Sequence, residues 1–177
     1  MEREIEVKVL NIDLYAMEEK IIDCGGEKIS DEKQKTIVIN SGSHPIPEKL
    51  GYLRLREVQC DGKVERVCTF KEKKANTSVR VYDEHTVAID DMDEMLEIFK
   101  LLGYDRTSLG EKHRISYRFK NCRLDLDRWD QDTYPDPYME IEGESREAIE
   151  EVIRALSIDP EQVSTLSIRE LQNLKNK

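Results

Sequence analysis

No hydrophobic run in this 177-residue chain approaches the ~20 apolar residues a membrane-spanning helix needs. Met1-Glu2-Arg3-Glu4 opens on charge rather than on the apolar stretch of a secretory signal. A soluble, cytoplasmic protein with no membrane partner is expected. Positive charge is in deficit, with 28 Lys and Arg against 38 Asp and Glu and a formal net charge of −10. That balance argues against nucleic acid as a partner, and any polyanionic ligand requires a local reversal of sign. Cys24, Cys60, Cys68 and Cys122 match neither a zinc-ligand spacing nor a small disulfide framework, so reduced thiols are expected. His44, His85 and His113 form no ligand spacing either. His85 and His113 fall on the apolar faces of their strands, which predicts structural roles. There is no internal repeat, low-complexity tract or linker, and the length suits a single domain over 1–177 that buries its own core.

What is present is amphipathic alternation. Period-2 patterning predicts eight strands, at 2–10, 34–39, 52–58, 64–72, 78–89, 113–119, 122–127 and 137–143, with turn signals at Asp61-Gly62 and Lys120-Asn121. Helical spacing predicts four helices, at about 13–24, 91–102, 146–156 and 168–174. Gly25-Gly26 and Gly103 stop the first two, and Ser145 and Ser167 cap the last two. The segment 40–51, with Gly42, Pro45 and Pro47, reads as a loop.

The informative feature is a charge-x-charge ladder inside the strands. Glu4-x-Glu6-x-Lys8, Arg54-x-Arg56, Lys71-x-Lys73, Arg80-x-x-x-Glu84, Lys112-x-Arg114, Asp125-x-Asp127 and Glu140-x-Glu142 each put their charges on one face of a strand. The opposite faces are apolar, as in Leu53 and Leu55, Leu124 and Leu126, and Met139 and Ile141. A merely solvated sheet face would mix in Ser, Thr, Asn and Gln, whereas these positions are almost entirely ionic. Guanidinium and ammonium groups suit phosphate oxygens, and paired carboxylates suit hard divalent cations. Eight antiparallel strands can close into a barrel with the charges inside and helices covering the apolar exterior, an α+β architecture. Charges inside must compensate, and eight cations against seven carboxylates leave the set close to neutral.

The order of these motifs resembles the CYTH superfamily, the triphosphate tunnel metalloenzymes. The residues that carry the resemblance are Glu4-x-Glu6-x-Lys8, Leu53-Arg54-Leu55-Arg56, Lys112-x-Arg114, Asp127-Arg128-Trp129 and Tyr138-Met139-Glu140-Ile141-Glu142-Gly143. It covers about residues 2–156. The resemblance implies an eight-stranded antiparallel barrel enclosing a hydrophilic tunnel, and Mg²⁺ or Mn²⁺ as cofactor. By position, Glu4, Glu6, Asp125, Asp127, Glu140 and Glu142 become the metal-binding carboxylates, with Asp127 ahead of Asp125. Lys8, Arg54, Arg56, Lys71, Lys73, Arg80, Lys112 and Arg114 become the triphosphate-binding set. Glu4, Glu6, Lys8 and Glu84 are the catalytic candidates, with Lys8 or Glu84 placed to position the attacking water.

Two departures stand out. Lys35-Thr36-Ile37-Val38-Ile39 lacks the Tyr and Asp that many relatives carry on the second strand, and Trp129 lacks the proline that often follows it. A rim or packing role is expected for Trp129 ahead of stacking on an organic group. The expected activity is metal-dependent hydrolysis of a small-molecule triphosphate by a monomer or homodimer. The alternatives are a class IV adenylyl cyclase, which would release cyclic AMP and pyrophosphate from ATP, and a non-catalytic polyphosphate- or nucleotide-binding module.

Overall fold

The structure, a computed structural model, describes residues 2–76 and 78–175. Its strands are β1 (Glu2–Val9), β2 (Glu27–Asn40), β3 (Gly51–Cys60), β4 (Lys63–Asn76), β5 (Arg80–Ala88), β6 (Arg106–Phe119), β7 (Cys122–Trp129), β8 (Tyr138–Gly143) and a two-residue β9 (Val163–Ser164). The helices are α1 (Leu14–Asp23), α2 (Met92–Leu101), α3 (Arg146–Ala155) and α4 (Ile168–Lys175). Eight strands close an antiparallel barrel in the order β1-β5-β4-β3-β2-β6-β7-β8, with β8 returning to β1. Closure gives each of the eight strands a partner on both sides. β9 takes up the edge of β1 beyond the end of β5, pairing at Lys8 and Val9, and leads the chain into α4.

Local chemistry sets the boundaries. Asp61 and Gly62 both have positive φ, 50° and 74°, which suits the two-residue turn joining β3 to β4. Gly103, at φ 88°, ends the turn after α2 where a side chain would be strained. Asp13, Asp91 and Ser145 cap α1, α2 and α3 by accepting from Ala16 N, from Asp93 N and Glu94 N, and from Ala148 N. Ser167 and Glu170 make a reciprocal capping box on α4: the Glu170 carboxylate accepts from Ser167 N and Oγ at 2.7 Å, and Ser167 Oγ accepts from Glu170 N at 3.1 Å.

The core lies outside the barrel. α1 and α3 contribute Ile21, Ile149 and Val152 to a cluster with Val7, Leu124, Met139 and Ile141 on β1, β7 and β8, all buried. Hydrophobic transfer gives about 2 kcal/mol for each fully buried Leu or Ile. α2 covers Ile39, Leu53, Leu55 and Cys68 on the other side. α4 inserts Leu171 against Tyr134 and Tyr138 at one end of the barrel.

Five expectations are corrected. The second strand begins at Glu27 rather than 34, and the sixth at Arg106 rather than 113, because 27–40 and 106–118 form one long ladder. Much of that ladder is exposed and polar, so apolar alternation does not mark it. The fourth strand runs on to Asn76, and β9 has no counterpart in the sequence pattern because two residues cannot show a period. His85 and His113 do lie on outward faces, but no helix covers them. Their side chains are 52% and 47% exposed, with His113 Nε2 2.6 Å from Asp31 and His85 Nε2 3.6 Å from Glu72. None of the four cysteines is in a disulfide.

Candidate active site

Alternation turns one face of every barrel strand inward, and the ladders fill a cavity of about 240 Å³ with charge. Glu4, Glu6, Lys8, Arg54, Arg56, Lys71, Lys73, Arg80, Lys112, Arg114, Glu140 and Glu142 all line it, so most of the sequence-derived set meets in one place. Most of these ions neutralise one another. Lys8 Nζ lies 2.8 Å from Glu140, Arg80 NH1 3.0 Å from Glu6, and Lys71 Nζ 2.6 Å from Glu84. Lys71 also donates to Glu4, and Arg54 NH2 donates to Glu84 at 3.2 Å. Glu84 stands behind Lys71 and Arg54 rather than in the cavity lining.

Arg114 is the hub of a buried network. It donates twice to Asp127 at 2.6 and 2.7 Å, to Asp125 at 2.6 Å and to Glu140 at 2.6 Å. Asp125 also accepts from Ser116 Oγ at 2.6 Å and Arg123 Nε at 2.8 Å, and Asp127 from Lys112 Nζ at 2.8 Å. The two aspartates therefore lie behind the cations and off the cavity lining. In this arrangement their oxygens orient Arg114 and Lys112, a task distinct from the metal-ligand role expected from their position in sequence. The cations hold the Asp127 carboxyl below its ordinary range and that of Glu140 well below, in both cases against the upward push of burial.

What the pairing leaves over is informative. Among the described residues, Arg56 and Lys73 have no carboxylate within 4.0 Å, and the buried Arg54 Nε has no hydrogen-bond partner. Arg56 donates only to Thr36 Oγ1, at 3.1 Å. Burial, followed by the charges of Arg54 and Arg114, lowers its guanidinium to about 9. Lys112 is lowered to about 7 by burial and then by Arg114, against the pull of Asp127 and Glu140. The strand order sets β8 diametrically across the barrel from β3. There Glu142 is the unpaired carboxylate, its carboxyl pushed up to about 7 by burial and then by Glu4, Asp125 and Glu6. One wall carries surplus negative charge and the facing wall surplus positive charge.

The sign of that strain is testable. Glu142 has a folded value above its ordinary 4.5, so its ionised form is the one folding disfavours. Its contribution to stability is intact below pH 4.5 and is lost as pH rises through about 7. Without divalent cations, Glu142→Gln is expected to melt like the parent near pH 4.5 and to be more stable by roughly 1–3 kcal/mol near pH 8. Equal melting temperatures at both pH values would contradict charge crowding at this wall.

The donor set suits a hard divalent cation. Glu4, Glu6 and Glu142 offer only oxygen, and their mutual repulsion is what a cation would relieve. As they stand, no three His, Cys, Asp or Glu side chains among the described residues are arranged to hold a metal ion. Ion pairs to Lys71, Arg80 and Lys8 hold Glu4, Glu6 and Glu140, and these would be exchanged for metal contacts.

Aromatic side chains contribute beside the ladders: Trp129 stands at the cavity wall, in keeping with the rim role expected of it, and Tyr82 is the member the motifs did not single out. Tyr82, Tyr138 and Trp129 underlie the cations: Arg80 lies 4.9 Å from the Tyr82 ring centre, Lys8 5.7 Å from that of Tyr138 and Lys112 5.1 Å from that of Trp129. Trp129 thus lines the cavity wall, with Nε1 donating to Tyr138 Oη at 2.8 Å. The readable signal was register, since Tyr82 falls between Arg80 and Glu84, and Tyr138 precedes Glu140 and Glu142, in the same period of two.

A closed antiparallel barrel lined by opposed charges and backed by helices is the triphosphate tunnel fold. The chain belongs to the CYTH domain family, whose model matches residues 2–167. Among solved structures it is similar to PH1819 from Pyrococcus horikoshii OT3, with TM-score 0.81 and 23% identity over 97% of this chain and 99% of that one. A Vibrio parahaemolyticus protein provisionally named an adenylate cyclase superposes with TM-score 0.76 and 15% identity, covering 96% and 97%. HpAC1 from Hippeastrum, whose structure is described as revealing a dominant triphosphatase activity, superposes with TM-score 0.67 and 14% identity, covering 99% and 96%. No curated protein matches the chain in sequence. No helix among the described residues is long and apolar enough to cross a membrane.

Proposed function

We propose that the protein hydrolyses a triphosphate compound with the help of Mg²⁺ or Mn²⁺. The observation that supports this most is the split of unpaired charge, with Glu142 facing Arg56 across one cavity. An anion binder would gain nothing from Glu4, Glu6 and Glu142 crowded opposite its ligand, and a metal site alone would gain nothing from Arg56 and Lys73. A bound divalent cation would supply charge neutralisation and a more acidic water. Glu4, Glu6, Glu140 and Glu142 are the residues that would hold it.

The remaining steps belong to the chain's own residues. Arg56, Arg54 and Lys73, with Lys112 and Arg114, bind and orient the phosphates, the guanidinium forks fixing direction as well as charge. Asp125 and Asp127 act as positioning residues by keeping Arg114 and Lys112 aimed into the cavity. Tyr82 and Tyr138 pack beneath Arg80 and Lys8 and restrict their rotamers. Lys8, which lines the cavity, is the candidate for positioning the attacking water, whereas Glu84 lies off the lining and holds Lys71 and Arg54. HpAC1, with its described triphosphatase activity, shares this fold and favours hydrolysis as the reading.

The test is phosphate release from tripolyphosphate, thiamine triphosphate and ATP with Mg²⁺ or Mn²⁺, with cyclic AMP and pyrophosphate measured in the same reactions. Orthophosphate as the product, abolished by chelation, is expected. Cyclic AMP with pyrophosphate would make the protein a cyclase, and tight triphosphate binding without turnover would make it a binding module.

A further inference from the structure

Two neighbouring arginines on one strand are held in different ways. Arg54 and Arg56 both turn inward from β3, and their register partners on β2 are Val38 and Thr36. Directly opposed side chains on one face of an antiparallel pair are close enough to touch. Val38 offers no acceptor. Arg54 Nε is accordingly buried without a hydrogen-bond partner, while Arg54 NH2 goes to Glu84. Thr36 offers a hydroxyl, and its Oγ1 accepts from Arg56 Nε at 3.1 Å. On its other side Thr36 is paired with Gly110 of β6, which has no side chain to compete for that hydroxyl.

The result is a cation that is aimed without being neutralised. Lys8, Arg54, Lys71, Arg80, Lys112 and Arg114 each have a carboxylate within 4.0 Å, which fixes the side chain and also cancels its charge. A threonine hydroxyl carries no charge, so it engages Nε and leaves the full positive charge on the Arg56 guanidinium. The two terminal nitrogens of Arg56 make no hydrogen bond to the protein among the described residues. They form the planar fork that meets phosphate oxygens in pairs. Thr36 lines the cavity and is only 4% exposed, so the bond that holds the fork is sheltered from water. An arginine already fixed at Nε has less rotamer freedom left to lose when an anion binds.

We propose that Thr36 is a positioning residue for the substrate, its hydroxyl aiming the Arg56 guanidinium at the phosphate chain and so raising the affinity of the tunnel for a triphosphate. This rests on the triphosphatase reading above, and it is tested by binding as well as by turnover. Thr36→Val keeps the branched shape and removes the acceptor, whereas Thr36→Ser keeps the acceptor. With Mn²⁺, Thr36→Val is expected to raise KM for tripolyphosphate about tenfold and to change kcat by less than about threefold. Thr36→Ser is expected to stay within about threefold of the parent in both. Calorimetry with tripolyphosphate and no metal is expected to show the same loss of about tenfold in affinity for Thr36→Val. In an Arg56→Met background, Thr36→Val is expected to add less than about twofold, because the group it positions is gone. Thr36→Val matching the parent, Thr36→Ser losing as much as Thr36→Val, or an undiminished loss in the Arg56→Met background would overturn the assignment and leave the triphosphatase reading standing. The expected binding losses with no metal-dependent turnover in the parent would uphold the positioning role and overturn the triphosphatase reading. Tripolyphosphate that neither binds nor is turned over by the parent would overturn both.

Discussion

Replacing Glu4 and Glu6 together by Gln is expected to lower metal-dependent phosphate release by about 10²–10³-fold, since a catalytic cation contributes several kcal/mol and each 1.36 kcal/mol is a factor of ten. The substitution keeps size and hydrogen-bonding capacity, so the barrel should still close along β1, whose ladders to β5 and β8 are made by backbone groups. It also removes two negative charges from a cavity where Lys71 and Arg80 are now their partners. Freed of those pairings, the two cations become available to an anion. Binding of tripolyphosphate without metal should therefore hold or tighten while turnover falls. Calorimetry alongside the phosphate assay reads both quantities. Turnover close to the parent's would remove these carboxylates from the metal site.

Arg114→Met is expected to show the largest loss of stability. It leaves Asp125, Asp127 and Glu140 buried without the guanidinium that now touches all three. Removing one partner of a buried ion network costs about 3–5 kcal/mol, which for a domain of this size is a fall in melting temperature on the order of 10 °C. The pH dependence provides an internal check. Arg114 helps hold Asp127 and Glu140 below their ordinary values, so its contribution is present above the ordinary carboxylate range and is lost as pH falls through the folded-state values. The difference between parent and variant should be largest near neutrality and shrink in acid. A difference that grew in acid would place the stabilisation elsewhere.

The sequence exposed most where two constraints acted on the same residue. In β1, β3, β7 and β8 a helix-covered outer face and an ionic inner face enforce alternation, so Leu53-Arg54-Leu55-Arg56 and Met139-Glu140-Ile141-Glu142 are visible as strands and as site residues together. Where one constraint is missing, the signal fades. Residues 27–33 pair with 113–118 on a largely exposed ladder, and 106–112 continue it on the other strand, so nothing forces hydrophobic alternation there. The roles of Asp125 and Asp127 were hidden for another reason. Side-chain type and facing are written in the sequence, but which of seven carboxylates pairs with which of eight cations depends on register across the barrel. That pairing commits both aspartates to Arg114, leaves Glu142 single, and makes it the crowded member of its wall. The overall charge of −10 follows the same division by place: the tunnel set is nearly balanced, and the acidic surplus belongs to the rest of the chain.

If the cavity takes a divalent cation and a triphosphate together, thermal melts of the parent with Mn²⁺ alone, with tripolyphosphate alone and with both will show it. Surplus charge on facing walls means that each ligand alone satisfies one wall and leaves the other strained. The melting-temperature shift with both present should therefore exceed the sum of the separate shifts, the positive coupling expected of two ligands that each improve the site for the other. A full shift with tripolyphosphate alone, unchanged by Mn²⁺, would contradict the account and describe a metal-independent anion-binding protein.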